Sequence, residues 1–187
     1  MSARRAMIRR ERKQNSKMKK HKTTNGKLEC AKAKGVKDGR NIAGFVVLEV
    51  LHDKYKLSNE KTQQVLDCVG KDSTKLDRPG TRFVVMHYAD KFFDKVESMG
   101  TYLYEDDIEK KIYYISRNEL YGNTVAMLLT ALNELFNFSS NSKGTGRLDY
   151  IMEYCANRYL EMQLDPEHKT PEYYFQKMKR KTGYDVR

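Results

Sequence analysis

The sequence predicts a mainly α-helical protein: two small helical modules related by a divergent repeat, a β-hairpin between them, and a basic N-terminal arm in front. Three observations predict this. Apolar residues recur at helical spacing through most of residues 41–187, a polar stripe returns at an offset of 81 residues, and the excess positive charge is confined to the first 40 residues. The boundaries that follow are 1–40 for the arm, 41–99 for the first helical module, 100–115 for the hairpin or linker, and 116–187 for the second module.

The arm is defined by charge. Residues 1–40 hold fifteen Lys and Arg against Glu11, Glu29 and Asp38, a net +12. Residues 41–187 hold twenty-one bases against twenty-two acids, so the chain's +11 belongs to an arm on a nearly neutral body. With 39% apolar and 33% charged residues, the 187-residue chain supports one domain, or two small ones sharing a core, only if part of it stays outside. In the arm the large apolar residues Met7, Ile8, Met18, Leu28 and Val36 do not recur at helical spacing, and no core is expected there. From Arg4 to Lys22 ten bases accompany one acid, which predicts a disordered or fraying segment until a polyanion neutralises it.

Order is expected from Asn41. In residues 41–57 the polar positions Glu49, His52, Asp53 and Lys56 form one solvated stripe of a helix otherwise rich in Phe45, Val46, Val47, Leu48, Val50 and Leu51. Ser58 or Asn59 is placed to cap a short helix carrying Val65, Leu66 and Val69. Asp77-Arg78-Pro79-Gly80 reads as a turn, followed by a helix with Phe83, Met86, Phe92 and Val96 inward and His87, Lys91, Asp94 and Lys95 outward. Residues 100–115 place β-prone Tyr, Ile and Thr on both sides of an acidic turn, hence the hairpin; Ser116-x-x-Glu119 would then start a new helix with a capping box. A continuous helix through Ile108, Ile112 and Ile115 is the competing reading.

The helix over residues 122–138 repeats the polar stripe at Thr130, Asn133, Glu134 and Asn137, each 81 residues beyond its counterpart in the first module. Leu132 answers Leu51, Phe136 answers Tyr55 and Ser139 answers Ser58. Both helices are apolar over most of their circumference, so the modules are expected to bury them in a shared or adjacent core. A further helix should turn Leu148, Ile151, Cys155 and Tyr159 inward. Thr170-Pro171-Glu172 and Gly183 then mark the start and end of the last one.

Three features together resemble small uncharacterised proteins of phages and prophages of Gram-positive bacteria. They are the Arg/Lys-rich opening, the apolar helix ending in Leu51-His52-Asp53-Lys54-Tyr55 and echoed from Thr124 to Met162, and the terminal pattern from Thr170 to Gly183. In the echo, Asn133-Glu134-Leu135 stands where the first copy has His52-Asp53-Lys54. The resemblance implies a phage accessory protein acting in the host-cell cytoplasm and carries over no catalytic residues.

Function is therefore sought in charge. Three scattered cysteines, Cys30, Cys68 and Cys155, make neither a disulfide framework nor a metal motif and read as reduced thiols of a cytoplasmic protein. The chain shows no apolar run near the length of a membrane span and no signal-peptide core. The main expectation is contact with an RNA or DNA backbone through Arg4, Arg5, Arg9, Arg10, Arg12, Lys13, Lys17, Lys19, Lys20 and Lys22. Met7, Ile8 and Met18 are too few to seat such a segment in a membrane.

Auxiliary phosphate contacts are expected at Lys143 and Arg147, around a Gly-containing loop, and at Lys177, Lys179, Arg180 and Lys181, which read equally well as the solvated end of a helix. His52-Asp53 lacks the further ligands of a metal-activated hydrolase, and Glu105-Asp106-Asp107 with Glu109-Lys110-Lys111 reads as an acidic turn rather than a nuclease centre. The expected protein is thus non-catalytic and without metal or cofactor, docking on a host or phage nucleoprotein complex. The alternatives are a protein-directed inhibitor of a host defence nuclease or polymerase, and a small metal-dependent nuclease.

Overall fold

The computed structural model describes residues 3–70, 79–98, 107–141, 143–164 and 170–183; for residues 3–23 and a few at element ends, only the backbone is described. Six helices occupy them: α1 (Ala3–Tyr55), α2 (Asn59–Gly70), α3 (Pro79–Ser98), α4 (Ile108–Phe136), α5 (Arg147–Leu164) and α6 (Pro171–Thr182). The mainly α expectation stands. The hairpin does not: Asp107 and everything after it to Phe136 belong to one helix and its cap, while residues 99–106 lie outside the described ones.

The reason is local and tertiary at once. Asp107 accepts hydrogen bonds from the backbone N–H groups of Glu109 (2.8 Å) and Lys110 (3.2 Å), a helix N-cap that the acidic run concealed. Ser116, expected to open the helix, lies buried within it beside Arg117. Tyr113, Ser116 and Arg117 share a helical face and lie against α1. The competing reading, a continuous helix through Ile108, Ile112 and Ile115, is what the structure shows, although Ile108 and Ile115 are exposed. Packing at helical spacing overrides the β propensity of the individual residues.

Against α4 runs a ladder of small residues on α1, Ala31, Gly35, Gly39 and Ala43, spaced four apart and all buried. A Cβ on Gly35 would stand 2.3 Å from the Tyr113 carbonyl oxygen, and one on Gly39 2.1 Å from that of Arg117. The two backbones touch only because those side chains are missing. Tyr113 secures the seam by donating from its hydroxyl to Asp38 at 2.7 Å, and the Arg117 guanidinium lies over the Tyr114 ring at 4.8 Å. Order therefore begins well before Asn41. Residues 24–40 continue α1, and small residues rather than large ones dock them.

The ladder sets α1 and α4 side by side and parallel: Gly35 meets Tyr113, Gly39 meets Arg117, and Tyr55 meets Phe138 with ring centroids 5.1 Å apart. Each long helix is then covered largely by the short helices of the other half. Leu66 and Val69 of α2 share a groove with Thr124 and Leu128 of α4, and Phe92 of α3 packs on Tyr121 of α4 at 5.9 Å. From the other half, Phe175 of α6 lies 5.6 Å from Phe45 of α1. One core results, drawing on both halves, with Phe92, Tyr121 and Tyr159 at its centre and the Tyr121 hydroxyl donating to the Cys155 carbonyl at 2.9 Å.

The offset of 81 reappears in the backbone. Lys56 and Asn137 both have φ 52°, and in both places the chain folds back on the helix it has left: Leu57 N–H donates to Leu51 O at 3.2 Å and Phe138 N–H to Leu132 O at 3.3 Å. Leu51 and Leu132 are both fully buried. The stripes agree less well. Asp53 and Glu134 are exposed, whereas Glu49 and Thr130 are buried instead of solvated. Thr130 can be buried because its hydroxyl donates to Ala126 O at 2.9 Å. Other expected positions hold: Leu148, Ile151, Cys155 and Tyr159 are buried, Pro171 opens α6, and Gly183 ends it at φ 67°. Met86, expected inward, is exposed, because Tyr88 and Ala89 occupy the inner face of α3 with Phe92 and Val96. The Phe83 side chain and Asp77-Arg78 lie outside the described residues.

Candidate nucleic-acid interface

The basic segment Arg4–Lys22 forms the first part of α1, so its backbone is continuous with a helix rooted in the core. Its side chains lie outside the described ones. At about 1.5 Å per residue, α1 is roughly 80 Å long. From Thr24 to Cys30 the helix is exposed apart from half-buried Leu28; Ala31 is buried, and at Gly35 the helix touches α4.

The auxiliary contacts divide. Lys177 and Lys181 are already engaged within the chain: their ammonium groups reach the buried Glu49 carboxylate at 3.1 and 2.9 Å, and Lys181 also reaches Asp53 at 2.7 Å. Arg158 of α5 stands 3.8 Å from Glu49 and pairs with Glu161. Burial pushes the Glu49 carboxyl up, but hydrogen bonds from Lys181 and Lys177 outweigh it and hold the group below its ordinary value. The Lys181 bond holds Asp53 below its ordinary range too, and the same two carboxylates push the Lys181 ammonium well up. This cluster ties α6 to α1, and it explains why Glu49 left the solvated stripe. Lys179 lies 5.9 Å from the Phe175 ring, and Arg180 is exposed.

In the Gly-containing loop after α4, backbone N–H groups expected to face a phosphate have acceptors within the chain. Asn141 Oδ1 accepts from Lys143 N–H (3.1 Å) and Thr145 N–H (2.9 Å), while Asp149 Oδ2 accepts from Asn141 N–H (2.9 Å) and Gly146 N–H (3.0 Å). Lys143 and Arg147 are exposed beside this closed loop.

The acidic candidates have structural roles. Asp107 is the α4 cap; His52 Nδ1 and Asp53 lie 3.3 Å apart, with Asp53 also held by Lys181. Glu105 and Asp106 lie outside the described residues. Among the described residues no three His, Cys, Asp or Glu gather to hold a metal ion, and no helix is long and apolar enough to cross a membrane.

What sequence reasoning missed lies where α1 and α4 end. Tyr55, Phe136 and Phe138 converge there with Lys54, Lys56, Lys61 and Arg147 around a cavity of about 560 Å³ that, among the described residues, no carboxylate lines. Of these only Arg147 is among the ligand contacts expected from sequence. The available signal was the repeat: it pairs Tyr55 with Phe136, but not the Lys61 or Arg147 that flank them. In comparisons with known proteins, the chain matches no family model, no curated protein and no solved structure.

Proposed function

We propose that the protein binds nucleic acid without catalysis, through the basic segment Arg4–Lys22 at the start of α1. The observation that carries this reading is the segregation of charge, +12 on residues 1–40 against −1 on the remainder. Ten like charges within nineteen residues repel one another in a folded helix, and a polyanion with closely spaced phosphates relieves that repulsion. The helical backbone supports the reading in shape, since a helix roughly 10–12 Å across matches a B-form major groove about 12 Å wide. The body anchors the helix and presents a nearly neutral surface to a host or phage protein complex.

Measuring the affinity of the full chain for a fluorescent duplex as salt is raised tests this. Six to ten phosphate contacts weaken binding by roughly 10³–10⁵ between 50 and 200 mM salt. Replacing Arg4, Arg5, Arg9, Arg10 and Arg12 together with glutamine should remove most of the affinity and flatten the salt slope while the melting temperature holds. Unchanged affinity and slope in that variant would refute the proposal.

A further inference from the structure

At the joint end of α1 and α4, three positions go against local preference, and all three carry a cation. Lys61 sits in the first turn of α2 and Arg147 opens α5, at the positive ends of those helices, where the dipole disfavours a base. Lys56 occupies the left-handed conformation at φ 52° that ends α1, a place suited to glycine or asparagine; its counterpart at Asn137 is indeed asparagine. Lys54, the fourth cation, lies 4.9 Å from the Tyr150 ring. None of the four makes an ion pair with a carboxylate among the described residues. Unfavourable local choices that converge on one cavity are a signature of a binding site rather than of folding.

The floor of the cavity specifies the rest of the ligand. Tyr55 and Phe136 are half-buried and Phe138 is buried, with the Arg147 guanidinium over its ring at 5.1 Å and the Tyr55 hydroxyl donating to Arg147 O at 3.2 Å. Positive charge at the rim and aromatic faces at the base suit a phosphate joined to a planar ring. The cavity, about 560 Å³, falls in the usual range of small-ligand sites. We infer that this cavity takes an unpaired nucleotide of a single strand, with the base on the Tyr55/Phe136 floor and phosphates on Lys56, Lys61 and Arg147. The inference rests on the reading that the protein binds nucleic acid, but it names a second contact. Lys22 and Lys56 lie about 50 Å apart along α1 at 1.5 Å per residue, so the arm and the cavity hold different parts of the ligand.

The test uses the full chain with all ten bases from Arg4 to Lys22 replaced by glutamine, so that the arm contributes little. Its probes are fluorescent hexamers of uridine and of thymidine, with linear inorganic hexaphosphate as a competitor that carries charge without bases. Adding Lys61→Ala and Arg147→Ala should weaken hexamer binding at least tenfold, and the hexaphosphate should compete at least tenfold less well than unlabelled hexamer. Lys56→Gly should raise the melting temperature and still weaken binding, a combination that a purely structural lysine would not produce. A 5-iodouridine hexamer should photocrosslink to Tyr55 or Phe136. Hexamer affinity unchanged by the double substitution, competition by hexaphosphate equal to that by hexamer, or crosslinks confined to residues 1–40 would each overturn the inference. Failure of the arm reading would look different: duplex binding by the wild-type chain and by the arm variant would be the same.

Discussion

Replacing Gly39 with alanine should destabilise the protein, although alanine is the better helix former. The added Cβ would lie 2.1 Å from the Arg117 carbonyl oxygen, where ordinary C···O contact needs about 3.3 Å. The obstacle is backbone of α4, not a side chain that can turn away, so α1 and α4 must part by about 1 Å along the Ala31–Ala43 ladder. Overpacking costs about 1–3 kcal/mol, and a rigid backbone obstacle places this site at the upper end. The helix preference of alanine over glycine returns about 1 kcal/mol, leaving a net loss of about 2 kcal/mol. For a chain of this size that is a fall in melting temperature of about 4–8 °C. Gly26 is the internal control, since it lies in the same helix, is exposed, and a Cβ there meets nothing within 4 Å. Gly26→Ala should be neutral or stabilising by up to about 1 kcal/mol. Urea denaturation of the three proteins settles the matter. If Gly39→Ala proved as stable as wild type, the close approach would not constrain the fold and the parallel pairing of α1 with α4 would be wrong.

Leu51→Ala and Leu132→Ala should each cost about 2–5 kcal/mol by denaturant titration, because both side chains are fully buried at matching helix ends; Glu134→Ala, exposed, should stay within about 0.5 kcal/mol. Glu49→Gln should cost about 1–3 kcal/mol at pH 7, less than a wholly buried pair, since Lys177 and Lys181 are partly exposed and can turn to water. Because the folded Glu49 carboxyl lies below its ordinary 4.5, its contribution is complete above about pH 5 and is lost as the pH falls through the folded value. The acid limb of a stability–pH curve should accordingly be flatter in Glu49→Gln, and an identical limb would count against the cluster. Asp107→Ala should lower stability by about 1 kcal/mol through loss of the cap, measured by thermal melting; a variant as stable as wild type would deny the cap.

Sequence alone determined the helical class, the charged arm, the interior faces of α5 and the start and end of α6, because each follows from spacing or composition within one segment. The offset of 81 was also legible, but it set Lys56 and Asn137 on a solvated helical stripe; that both are left-handed ends of their helices is a fact of the structure. Tertiary structure decided what depends on a neighbour. Residues 31–40 carry few large apolar side chains, so they read as outside the core; the missing side chains of Gly35 and Gly39 proved to be the contact itself, because only α4 gives a missing Cβ its meaning. Tyr113 looked strand-like until Asp38 and Gly35 stood opposite it. Glu49 reads as solvated in a helical projection, and becomes a buried anchor once α6 brings Lys177 and Lys181 from more than a hundred residues away. The cationic cavity was illegible for the same reason. Lys54, Lys56, Lys61 and Arg147 are ordinary surface bases one at a time, and only the crossing of the two halves sets them around one aromatic floor.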